Sequence, residues 1–147
     1  MAETQENPAA VAAITASFLQ QGRALDMLSR GITLIATIAV FAGAFTAAPL
    51  PIVLIAVVIL LLGLAEAYLA LRVGFEAMLF GHFARDTFGT VSFDTSMRRL
   101  KLAPADRAGR PMTIRAMRAM RLMRYQILAL LLQVAGIVLL PVAEVLW

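Results

Sequence analysis

The sequence predicts an all-α integral membrane protein: three transmembrane helices, the first two forming a tight hairpin, with amphipathic helices on the cytoplasmic side. Two observations carry this reading. Apolar residues make up 61% of the 147 positions and charged residues only 15%, whereas a soluble domain has about 45–50% and about 25%. The charges are also segregated. Gly31–Leu71 is 41 residues without Lys or Arg, Tyr125–Trp147 is 23 more, and all 13 basic residues lie elsewhere. The length allows one domain, 1–147. With no Cys, a disulfide framework, a thiolate metal site and a thiol nucleophile are excluded.

Residues 8–30 form the first expected helix. Asn7 precedes Pro8 as an N-cap precedes a proline at the first helical position. Val11, Ile14, Phe18, Leu25 and Leu28 mark an apolar face, with Thr15, Gln20, Gln21, Arg23, Asp26 and Ser29 mostly opposite. Such a helix lies on the inner membrane surface, docks on a partner, or runs straight into the first span.

A spanning helix needs about 20 apolar residues, and both 31–48 and 52–71 provide that length. Pro49 and Pro51 stand between them and mark a turn, because neither fits a helix interior. Ala39, Gly43 and Ala47 place small residues at every fourth position of the first span. In lipid, such a ridge permits close backbone approach to the second span, through Gly63 and Ala67, or to another copy. The second helix extends past the membrane to about residue 85, because Phe75, Met78, Leu79, His82 and Phe83 keep its period.

Residues 87–111 contain Gly89, Pro104, Gly109 and Pro111 and read as a cytoplasmic loop, with a short helix possible from Asp94 to Leu102. Residues 113–124 then form a basic helix that continues without a break into the third span, 125–147. Pro141 either kinks that span or ends it.

Orientation follows the distribution of Lys and Arg. Arg23 and Arg30 precede the first span, and eleven basic residues lie in Arg72–Arg124. In a bacterial-type inner membrane the N-terminus and the middle segment face the cytoplasm, and the C-terminus faces out.

Arg115, Arg118, Arg121 and Arg124 recur every three residues. At ~300° per step they sweep about half of the helix circumference and precede the apolar run, which suits anionic lipid headgroups better than voltage sensing. Without aromatic residues between Arg115 and Arg124, bases have no stacking platform, so nucleic acid is not an expected partner. Glu66 is the one Asp, Glu, Lys, Arg or His within the first two spans, about 8 Å from the cytoplasmic end. A carboxyl near the interface, neutral or paired with an arginine, is the expected state; a proton or cation site is the functional reading. Gln126 and Gln133 share one face of the third helix, and Gln133, lying deeper, is the expected interhelical hydrogen-bond former.

Enzyme chemistry finds little footing. The single histidine, His82, lies one turn from Asp86, and two ligands do not make a zinc site. Asp86-Thr87-Phe88-Gly89-Thr90 shares letters with an aspartyl-phosphate motif, but that chemistry needs an α/β domain that this chain does not build. No catalytic residue, metal or cofactor is expected. The expected role is a non-enzymatic accessory or scaffolding subunit that assembles in the bilayer with other subunits or copies of itself. The alternative is a homo-oligomeric channel or transporter with Glu66 and Gln133 lining the pathway.

Overall fold

The computed structural model describes residues 7–46, 48–87, 89–101 and 110–146, with the side chains of 144–146 excepted. Ala47 and Trp147 lie outside the described residues. Described secondary structure is helical throughout: α1 (Pro8–Gln20), α2 (Gly22–Thr46), α3 (Leu50–Ala84), α4 (Thr90–Arg99) and α5 (Met112–Leu146). Three stretches, Pro8–Thr46, Leu50–Ala84 and Met112–Ala143, are long and apolar enough to cross a membrane.

The helix ends follow local chemistry. Asn7 Oδ1 accepts the backbone N–H groups of Ala9 and Ala10 at 3.0 and 3.4 Å, so the expected N-cap forms. The first long helix departs from its expected boundary. The break falls at Gln21, so α2 begins at Gly22, nine residues before the expected start of the span. Gly22 is a weak helix former at that point. Pro49 O accepts from Ile52 and Val53 N–H as α3 begins; Pro51 is tolerated because the first helical turn needs no intrahelical donor.

At its other end α3 stops in a Schellman motif. Thr87 N–H donates to His82 O, Asp86 N–H donates to Phe83 O, and Asp86 takes φ 51°. The segment that shares letters with an aspartyl-phosphate motif therefore begins, at Asp86 and Thr87, as a helix terminator. The short helix of the middle segment starts at Thr90, not Asp94, with Gly89 in extended conformation as its N-cap, and it ends at Arg99. Pro141 does not end α5, which runs through it to Leu146.

The chain divides into two compact units, whose boundaries fall at the break between α1 and α2 and within α3 and α5. The first comprises Met1–Gln20 and Val73–Arg121. Its buried positions are Ala12, Thr15, Ala16 and Leu19 on α1, Val73, Ala77, Phe80 and Phe83 on α3, and Ala116 and Ala119 on α5. Phe83 meets Phe93 edge to face with centroids 5.3 Å apart, which ties α4 to the end of α3.

The second comprises Gln21–Arg72 and Leu122–Trp147. Its core centres on Ile32, Ala36, Ile59 and Leu130. On α3 the buried stripe is Ala56, Ile59, Gly63 and Glu66; on α5 it is Met123, Gln126, Leu130 and Gln133. Both stripes alternate steps of three and four, the 3.5-residue seam of left-handed helix packing. Gly43 lies against Val53 and Gly63 against Thr33, so moving forward along α2 means moving back along α3: the two pack antiparallel.

Large apolar side chains lie on the outside as well as in the core. Ser29, Glu66, Gln126 and Gln133 are buried beside Ile32, Ile59 and Leu130, while Leu34, Ile38, Phe41, Leu61, Leu64 and Leu131 are 58–64% exposed. The expected apolar face at the N-terminus is rotated: Ile14 and Phe18 are 70% and 48% exposed, whereas Thr15, Leu19 and Ser29 are buried. Small residues let helices approach closely, and a buried hydroxyl can satisfy itself on its own helix. Thr15 Oγ1 does so, donating to Val11 O at 2.7 Å.

Candidate functional site

The concentration of polar chemistry in the second unit is a two-layer ladder between α2, α3 and α5. Its members lie seven residues apart on each helix: Gly22 and Ser29 on α2, Ile59 and Glu66 on α3, Gln126 and Gln133 on α5. Seven residues is nearly two turns, so the side chains of one helix point the same way. Gly22 meets Gln126 and Ser29 meets Gln133, so α2 and α5 run parallel. Glu66 meets Gln126, Ile59 meets Gln133, and α3 therefore runs against both.

One layer is complete. Ser29 Oγ donates to Gln133 Oε1 at 2.6 Å. Gln133 Nε2 donates to Thr33 Oγ1 at 3.1 Å and reaches Ile59 O at 3.4 Å. Thr33 Oγ1 in turn donates to Ser29 O at 2.8 Å. Gly63 makes room for this layer. A Cβ there would overlap the Thr33 side chain and stand 2.8 Å from Gln133 Nε2. Gln133 thus has three hydrogen-bond partners, Ser29 and Thr33 on α2 and Ile59 on α3.

The other layer is half complete. Gln126 Nε2 donates to Gly22 O at 2.9 Å and to Glu66 Oε1 at 2.8 Å. Glu66 Oε2 and Gln126 Oε1 are buried and have no hydrogen-bond partner. Nearness to the membrane boundary suggested that Glu66 need not be buried; instead it is fully buried, and its partner is an amide rather than an arginine. Gln126, which was not expected as a bond former, meets Glu66 from α5; its seven-residue spacing from Gln133 is the sequence feature that points to it.

Gly43, of the small-residue ridge, lies on the α3 side: a Cβ there would come within 2.9 Å of Val53 Cγ2. Ala39 is partly buried. Gly63 meets Thr33 and Gln133 rather than this ridge.

The arginines divide. Arg115 is committed within the first unit: its single nitrogen Nη2 donates to Asp94 Oδ2 and Oδ1 at 2.7 and 2.9 Å, and Nε donates to Arg110 O. Both partners are largely buried, with 17% and 14% side-chain exposure. Arg118, Arg121 and Arg124 are exposed. Among the described residues, no group of three or more His, Asp or Glu is placed to hold a metal ion. Compared with protein-family models, curated proteins and solved structures, the chain matches none.

Proposed function

We propose that this chain is a small, non-enzymatic three-span protein of the inner membrane that serves as an accessory or scaffolding subunit. The outward-facing apolar side chains carry the reading. Isolated exposed apolar residues are ordinary on a soluble protein, but a wall of Leu, Ile and Phe around buried glutamine, glutamate and serine side chains is not. In hydrocarbon the arrangement is favourable, because apolar side chains have no reason to leave lipid while polar and small residues gain by meeting one another. The 31–48 and 52–71 segments then form the transmembrane hairpin and α5 carries the third span, with the N-terminal and middle segments on the cytoplasmic side. Arg118, Arg121 and Arg124 hold anionic headgroups at that surface, and Arg115 acts through Asp94 instead.

A pathway between copies would need Glu66 and Gln133 on an outer face. Their full burial within one chain favours the scaffold over the channel. Release of the full-length chain from its membrane into native nanodiscs tests the role. A scaffold co-purifies with a larger membrane complex; a stable homo-oligomer recovered alone contradicts the role. For the topology, Ala48→Cys is labelled by an impermeant thiol reagent from outside, and labelling only from the cytoplasmic side reverses the orientation.

A further inference from the structure

The half-complete layer poses a bookkeeping problem with a chemical solution. Both hydrogens of Gln126 Nε2 are used, one on Gly22 O and one on Glu66 Oε1, which fixes the orientation of the amide. Two oxygens remain, Glu66 Oε2 and Gln126 Oε1, both buried acceptors without a donor. Leaving two such oxygens bare is costly, and a bare carboxylate in an apolar interior is costlier still.

A carboxylic acid and a carboxamide joined by one N–H···O bond have a complementary second edge, an O–H donor against the amide oxygen. We propose that Glu66 and Gln126 form a proton-binding site, with the proton on Glu66 Oε2 donated to Gln126 Oε1 to close a two-bond acid–amide ring. One proton on this edge would serve both oxygens. The flanking titratable groups are Arg23, Asp26 and Arg30 on α2, Tyr68 and Arg72 on α3, and Arg124 and Tyr125 on α5. None of them donates to Oε2, and Arg30 is already paired with Asp26 at 2.9 Å. Protonation therefore adds a second bond between α3 and α5 at this layer, and proton loss would set a carboxylate against an amide oxygen. The inference rests on packing within the second unit and holds whichever partner the chain assembles with.

Infrared spectroscopy of the full-length protein in nanodiscs at neutral pH tests it, with Glu66→Gln as the difference partner. That variant keeps shape and neutrality and can form an amide–amide ring, so it is expected to fold. The site requires a protonated-carboxyl carbonyl band in the wild type that shifts in heavy water and vanishes in Glu66→Gln. If the difference spectrum contains only ionised carboxylate bands, the proposal is overturned. An acid band that converts to carboxylate bands when sodium replaces choline also overturns it, in favour of a metal-cation site. If Glu66→Gln fails to fold, titrating the wild type alone decides: an acid band that grows reversibly on acidification from neutral pH, being absent before, contradicts the site.

Discussion

Ser29 Oγ donates to Gln133 Oε1 at 2.6 Å across 104 residues of sequence, and Gln133 Nε2 reaches Thr33 and Ile59 from the same amide. One glutamine thereby links three helices. Gln133→Leu keeps the volume but removes every one of these bonds. The expected loss is about 1–2 kcal/mol, the upper part of the range for interhelical hydrogen bonds in membranes. Reversible unfolding in mixed micelles checks it. Ser29→Ala removes a single bond and should cost less, about 0.6 kcal/mol.

Gly63 and Gly74 should respond to alanine in opposite directions. At Gly63 the new methyl overlaps Thr33, and overpacking of this kind costs about 1–3 kcal/mol. At Gly74 nothing lies within 4 Å of the new Cβ, so the better helix former should stabilise α3 by up to about 1 kcal/mol. The same unfolding measurement separates the two.

Arg115 and Asp94 should behave as a coupled pair. Both side chains are largely buried, and removing either partner leaves an uncompensated charge, which costs about 3–5 kcal/mol in a buried pair and less as exposure rises. Asp94→Asn and Arg115→Met should each destabilise the first unit, and the double variant should lose less than their sum. Additive losses in a double-mutant cycle would show the pair to be uncoupled.

Arg118→Ala combined with Arg121→Ala should weaken retention of anionic lipid, at about 1 kcal/mol per charge, without altering the Asp94 pair. Native mass spectrometry in mixed lipid reads this directly. Unchanged lipid retention would remove the headgroup assignment.

Much of the helix plan was legible in the sequence, because long uncharged runs and prolines are strong signals. The Asn7 cap, the extension of α3 to Ala84 and the uninterrupted α5 were of this kind. Which face turns inward was not legible from hydropathy. Val11, Ile14 and Phe18 trace an apolar face, yet the residues beside them, Ala12, Thr15, Ala16 and Leu19, are the buried ones. When interior and exterior are both tolerant of apolar residues, hydropathy loses its direction, and small size and hydrogen-bonding capacity mark the inside. Glutamines seven apart, Gln126 and Gln133, gave that cue, and both are buried. The start of α4 was missed because Asp94 has the chemistry of an N-cap, whereas its carboxylate is committed to Arg115, a partner 21 residues away.

The central claim is that the Leu- and Ile-rich outer faces meet hydrocarbon while the glutamine–glutamate ladder stays within. The chain has no cysteine, so single spin labels can be placed cleanly at Leu34→Cys, Leu61→Cys and Leu131→Cys, positions 58–62% exposed. Collision measurements in nanodiscs then compare oxygen, which concentrates in lipid, with a polar nickel complex, which does not. High oxygen and low nickel accessibility at all three positions is the expected result. Nickel accessibility equal to that of a label in bulk water would contradict the claim.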